Sequence, residues 1–376
     1  MGFEVKVLII SNYEPDRQQS MLRFSGLLRE IMMAAGHEVR VVSPKPTLGR
    51  GAGPEQTIGK WLGYVDKFVL FKPDLIKAAD WADVVHISDH GNALYAGWLK
   101  KPTILTCHDL TAIKSAMKEI PEHSTSRSGT LLQSIILRSL DKSTRIVCDS
   151  EATRRDLLRL TAMPEYKLAV VFPALNYPYS VMEKRVALER VATLDSRLRA
   201  PYLLHIGGDQ WYKNRIGVAR IFAGLASRQP DSVLVFAGKP LPDDIRSFIS
   251  EQNLGNRVVH IPSPTEEDLR ALYNAAYALL FPSLYEGFGW PILEAQVCGC
   301  PVITSDRPPM TEVGGDAALY VDPNDLSATV ERIIEHWSML PALSAAGFRN
   351  AARFDGRRMT TAYEREYEAA LASFKV

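Results

Sequence analysis

PSLYEGFGWPILEAQVCGCPVITS, residues 282–305, holds turn, helix and strand signals in one short stretch. The apolar run YALLF stands before it. Gly287 and Gly289 mark a turn, Pro291 suits a first helical turn where its missing N–H is harmless, and Gly299 suits a helix stop. CPVITS then reads as the next strand. Strand, turn, helix and strand at this spacing make a βα unit of a parallel sheet. Its turn brings a helix N-terminus to the sheet edge. There the free amides of Phe288, Gly289 and Trp290, at the positive end of the helix dipole, suit phosphate oxygens or sugar hydroxyls. Glu286 lies before the helix and Glu294 about one turn inside it, so both carboxylates can face one ligand. Carboxylates accept hydrogen bonds from vicinal diols, which sugars and riboses present.

The same rhythm extends outward in both directions. VKVLII, HEVRVVS, DVVHIS, TILTCHD and RIVCDS alternate with helical stretches in the first half. YLLHIGG, SVLVFAG, RVVHIP, YALLFPS, CPVITS and ALYVDP follow in the second. The expectation is α/β, with two Rossmann-like doubly wound domains, residues 1–180 and 195–355, joined where the apolar pattern weakens between about 173 and 200. Ser11, Asn12, Asp89, His90, His108, Asp109 and Ser150 fall at strand C-terminal ends, the edge where open α/β sheets bind ligands. Residues 46–60 and 111–130 carry breakers without clean periodicity and read as mobile loops. The last segment, from 357 to 376, has Tyr363, Tyr367 and Phe374 at helical spacing, which suits packing.

Composition fits this reading. The chain has 376 residues, enough for two domains, with 46% hydrophobic and 23% charged residues. Its 44 Lys plus Arg balance 43 Asp plus Glu, so nothing global draws it to nucleic acid. Residues 1–180 hold 23 basic against 19 acidic side chains, an excess that allows peripheral contact with an anionic membrane. VKVLII lacks the flanks of a secretion signal, and no run is long enough for a membrane span, which implies a cytoplasmic protein. Cys107, Cys148, Cys298 and Cys300 are too scattered for a disulfide framework and read as buried thiols.

A second polar element, HIGGDQWYKNR, spans residues 205–215. Gly207 and Gly208 let the backbone approach a ligand closely, and Lys213, just before a helix, can reach a diphosphate. A departing nucleoside diphosphate gains negative charge, so fixed donors aimed at it are natural catalysts.

EGFGWPILEA, GGDQWYKN, the CHD of strand four and VCDSEATRRDL together resemble the family 4 (group 1) glycosyltransferases. That resemblance implies the GT-B architecture, two Rossmann-like domains facing a central cleft, residues 1–180 for the acceptor and 195–355 for the nucleotide-sugar donor, with a C-terminal helix returning to the N-domain. It implies a retaining hexosyltransferase, mannose- or glucose-type, using a nucleoside-diphosphate sugar and a glycan or lipid-linked acceptor. No cofactor and no metal are implied, in keeping with the lack of an Asp-x-Asp pair. By the same resemblance Glu286 engages the donor sugar, Glu294 the ribose, Lys213 the diphosphate and His108 the donor sugar from the N-domain. The donor base would meet backbone around Ile261 and Ser263. Two features depart from the pattern: Gly208 stands where many relatives have arginine, so that Lys213, Arg215 or another group must compensate, and SNYEPDRQQS lacks the glycine pair of the first N-domain loop.

Each residue also has an ordinary reading: capping or solvated carboxylates for Glu286 and Glu294, a surface amine for Lys213, a satisfied strand-end ring for His108. The coincidence of EGFG, Pro291 and CPVITS favours function. A nicotinamide oxidoreductase would need G-x-G-x-x-G after the first strand, where no glycine occurs before Gly26. A catalytically idle nucleotide-sugar-binding subunit of a polysaccharide assembly complex remains the alternative.

Overall fold

Twelve strands in two parallel sheets carry the chain in the computed structural model, which describes residues 4–49 and 57–374. In the first sheet β1 (Lys6–Ile10), β2 (Glu38–Val42), β3 (Val84–Ile87), β4 (Thr103–Cys107), β5 (Arg145–Cys148) and β6 (Leu168–Val170) stand in the order β2-β1-β3-β4-β5-β6. In the second, β7 (Tyr202–Gly207), β8 (Val233–Gly238), β9 (Val258–Pro262), β10 (Ala278–Phe281), β11 (Val302–Ser305) and β12 (Leu319–Val321) stand in the order β12-β11-β10-β7-β8-β9. Five strands of the first sheet and all six of the second coincide with the apolar runs. Only β6 has no counterpart among them, because its three residues merge into the irregular LAVVFPAL. The central strands are buried on both faces, which is why they read as continuous Val, Ile and Leu rather than alternating.

The chain divides into two units, one reaching Asn176 and taking in everything from Gly356 on, the other spanning Tyr177–Asp355. The boundary thus falls a little before residue 180. The helix Lys184–Leu194, expected in the linker, belongs to the second unit, where Arg190 pairs with Asp268 at 2.8 Å.

The last helix, Gly356–Phe374, buries Met359, Tyr363, Tyr367 and Ala370, one stripe at helical spacing. Tyr367 hydroxyl lies 2.8 Å from Nδ1 of His86 on β3, whose Nε2 is 2.8 Å from Thr106 Oγ1 on β4. Tyr363 reaches the same Thr106 hydroxyl at 3.2 Å, and Glu366 pairs with Arg145 of β5 at 2.5 Å. Phe374 departs from the expectation, being about half exposed.

Both segments expected to be mobile contain built structure. Residues 50–56 of the first lie outside the described residues, but the amides of Thr47, Leu48 and Gly49 all donate to the buried Asp66 carboxylate at 2.9–3.0 Å. Tyr13 hydroxyl adds a fourth donor at 2.8 Å. Burial opposes the charged carboxylate, yet these donors hold Asp66 below the usual carboxylate range. A helix already runs from Thr57 to Val65. The second segment holds helices Thr111–Ala116 and Arg127–Leu140; the apparent breaker Ser126 is the N-cap of the latter, accepting from Gly129 N–H. All four cysteines are buried and free. No helix among the described residues is long and apolar enough to cross a membrane.

Candidate active site

Three loops at the C-terminal edge of the second sheet build the site. After β7 the chain makes a short turn, Trp211–Lys213, and Asn214 adopts a left-handed backbone before the helix Arg215–Ala226. Asn214 Nδ2 donates to Pro282 O at 3.0 Å, and Leu284 N–H donates to Tyr212 O at 2.8 Å. The turn after β7 is therefore stitched to the loop after β10. That stitch sets Lys213 Nζ 2.7 and 3.0 Å from the two oxygens of Glu286.

Gly289 caps the following helix, Trp290–Val297, with φ +101°, a backbone that only glycine adopts cheaply. Phe288 turns its ring inward against Phe354 at 5.6 Å, leaving Gly287, Gly289 and Trp290 to shape the turn. One turn along, Glu294 is buried and accepts from Tyr273 hydroxyl at 2.6 Å. The carboxylate is thus held by a partner that the sequence did not reveal.

Gly207 and Gly238 face each other at the ends of β7 and β8. Gly238 has φ +129°, and a Cβ there would stand 2.8 Å from Gly207 O. Only glycine permits that approach. Gly208 follows Gly207 beside the side chain of Gln210. Ile261 is buried near the end of β9, whereas Ser263 is exposed with φ +46° and its amide points at Gly238 O, 3.4 Å away.

Arg215, one of the two residues expected to compensate for glycine at 208, does not do so, and two further groups of the candidate site escaped the sequence reading. Arg215, buried in the first turn of its helix, gives Nη1 and Nη2 to Pro240 O and Lys239 O at 3.1 and 2.8 Å. It therefore braces the loop after β8 rather than replacing the missing arginine at position 208. His205 donates Nδ1–H to Leu280 O at 3.0 Å, so its Nε2 is an acceptor, and the Cβ position of Gly207 is 3.4 Å from it. Burial lowers its pKa to about 3 against the Leu280 hydrogen bond, with Arg215 and Lys213 adding to the effect. His205 Nε2 and the Ser283 hydroxyl are buried with no hydrogen-bond partner among the described residues. Their signal was a polar side chain inside or beside an otherwise apolar strand.

His108 belongs to the first unit. Its Nδ1 lies 2.5 Å from Asp149 Oδ2 and its Nε2 2.8 Å from Ser88 O, so both ring nitrogens are engaged. Burial disfavours the charged ring, but Asp149, with Asp89 and the Ser88 carbonyl, outweighs it and raises the pKa to about 9. His108 is a held cation there, not a free base. The structure brings Glu286, Lys213, Glu294 and the helix N-terminus together in one unit, and places His108 in the other.

Residues 191–349 match the family described as glycosyl transferases group 1, and residues 27–176 match glycosyltransferase family 4. O-antigen chain mannosyltransferase B of Escherichia coli is 27% identical over 290 residues, 75% of this chain and 73% of its own length. D-inositol 3-phosphate glycosyltransferase of Mycolicibacterium smegmatis is 26% identical over 310 residues, 78% of this chain and 68% of its own. Among solved structures, sucrose-phosphate synthase from Thermosynechococcus elongatus superposes with a TM-score of 0.76 at 18% identity, covering 96% of this chain and 98% of the other. HepE of Anabaena, solved with UDP and glucose, gives 0.72 at 15% identity, covering 96% and 99%. At such identities the structural likeness carries the fold alone, the GT-B pair of Rossmann-like units. With each half matched by its own family, the chain belongs to the group 1, family 4 glycosyltransferases.

Proposed function

We propose that the protein moves a hexosyl group, mannose- or glucose-type, from a nucleoside-diphosphate sugar to a hydroxyl of a glycan or lipid-linked acceptor, with retention at the anomeric carbon and without a metal. The observation that carries this reading is the Lys213–Glu286 pair beside a glycine-capped helix N-terminus, with Glu294 buried one turn further on. A diphosphate would draw the Lys213 ammonium and the helix amides; Glu286 would then turn to sugar hydroxyls, and Glu294, held by Tyr273, would accept from ribose. In the reaction the acceptor oxygen bonds to the anomeric carbon as the carbon–oxygen bond to diphosphate breaks. The electron pair stays on the phosphate oxygen, which takes the hydroxyl proton. Charge developing on that oxygen is what the Lys213 ammonium and the helix amides stabilise.

A catalytically idle nucleotide-sugar-binding subunit is the second reading, favoured by the double engagement of His108. A turnover assay with UDP- and GDP-hexoses separates the two. Donor hydrolysis or transfer that vanishes in Glu286→Ala, with the fold intact by circular dichroism, supports the enzyme. Donor binding without turnover under any condition supports the idle subunit.

A further inference from the structure

The first unit holds a cavity of about 390 Å³, within the usual range for small-ligand sites. It is lined by residues that follow β1 and β3, adjacent parallel strands, and by the helical segments at 57–70 and 127–140. Its lining combines amides (Asn12, Asn92, Gln133) with aromatic rings (Tyr13, Tyr64, Phe68). Two carboxylates face it, Asp16 and Asp89. Among the described residues its one lysine or arginine is Lys67, whose Nζ is 2.7 Å from Asp16 and 4.9 Å from the Tyr64 ring centre. The ammonium is therefore already neutralised and walled by rings. Asp89 stays ionised: burial works against it, but His90, His108, Asn12 and the Gly91 amide hold it below the usual range.

These groups discriminate between ligand classes. A phosphate would meet two carboxylates and find the lysine paired, an arrangement that disfavours anions. Asn12 is held by Gln18, Asp89 and Asn92, so an uncharged sugar would find carboxylate acceptors for its hydroxyl protons, the Gln133 amide for its oxygens and rings for its C–H faces. Resting on the transferase reading, we infer that this cavity receives the accepting end of the substrate as an uncharged pyranose and rejects a phosphorylated one. The inositol 3-phosphate in the name of one relative does not suit it.

Saturation-transfer NMR on the full chain tests this with methyl α-mannoside, methyl α-glucoside, mannose 6-phosphate and inositol 3-phosphate as probes. The expected result is transfer to at least one neutral glycoside and none to either phosphate. Gln133→Trp, at a half-buried position where the larger ring fills the cavity, reduces the neutral signal at least fivefold. Asp16→Ala releases the Lys67 ammonium and admits mannose 6-phosphate. Phosphate binding equal to neutral binding in the wild type, a neutral signal unchanged in Gln133→Trp, or silence from every probe overturns the inference. A parallel thermal shift with UDP and GDP reports on the other unit. Neutral binding in the cavity with no response to either nucleotide sinks the transferase reading and leaves the cavity's specificity standing.

Discussion

Lys213 and Glu286 satisfy one another at 2.7 Å, with side chains only 15% and 9% exposed. Each was legible as a candidate site residue from its motif, but their contact was not, because 73 positions separate them and the two loops meet through bonds of Asn214 to Pro282 and Leu284 to Tyr212 that no motif encodes. A pair so placed penalises the loss of one partner more than the loss of both. Lys213→Met should lower stability by about 1–3 kcal/mol, and the double variant Lys213→Met/Glu286→Gln should recover part of it. Urea titration of the four proteins checks this; strict additivity would mean the pair is not formed in solution. For activity, Lys213→Met should cut kcat by about 10²–10³, the effect of removing one charge-stabilising donor. Tyr273 is the residue here that sequence could not offer. Its hydroxyl is the buried partner of Glu294, so Tyr273→Phe should destabilise the protein by about 1–3 kcal/mol by removing that donor from a buried carboxylate. An unchanged melting temperature would show that Glu294 finds another donor.

Most strands were readable, and so was the helix that Pro291 opens, whereas two helices punctuated by glycine and serine were not. TIGKWLGYV forms a helix despite two glycines, and SRSGTLLQSIILRSL hides its start because an N-cap serine looks like a breaker. The glycines themselves divide by what surrounds them. Gly238 has both positive φ and a backbone carbonyl 2.8 Å from where a Cβ would sit; Gly36 has φ +94° and open space; Gly356 has neither constraint. Alanine should therefore destabilise by about 3 kcal/mol or more at 238 and about 1–2 kcal/mol at 36, with little change at 356. Thermal melts of the three variants test the order. Gly238→Ala should also weaken UDP or GDP binding, since the displaced carbonyl is that of Gly207 in the site.

At the scale of the molecule, three of the four buried histidines among the described residues give the two units different responses to pH. His86 and His108 lie in the first unit, His205 in the second. Burial lowers the pKa of His86 to about 3, with the His108 charge adding to it, and burial likewise takes His205 to about 3. Below about pH 6.5, where an unfolded histidine takes up a proton and these do not, stability falls with acid in both units. His108 has the opposite sign. Its pKa is raised to about 9, so its stabilisation is fully present below about pH 6.5 and is lost as pH rises through about 9. The first unit should therefore weaken on both sides of neutrality and the second mainly on the acid side. Between pH 6.5 and 9 the loss should approach about 1.4 kcal/mol per pH unit for the one proton involved. None of this was legible from sequence, because it depends on Asp149 lying 2.5 Å from His108 across neighbouring strands. Urea unfolding of the wild type and of His108→Gln, measured from pH 4 to 9.5, isolates the effect. The variant should lose the alkaline decline while keeping the acid one. If both proteins decline in parallel above pH 7, His108 is not the buried cation that its two hydrogen-bond partners make it.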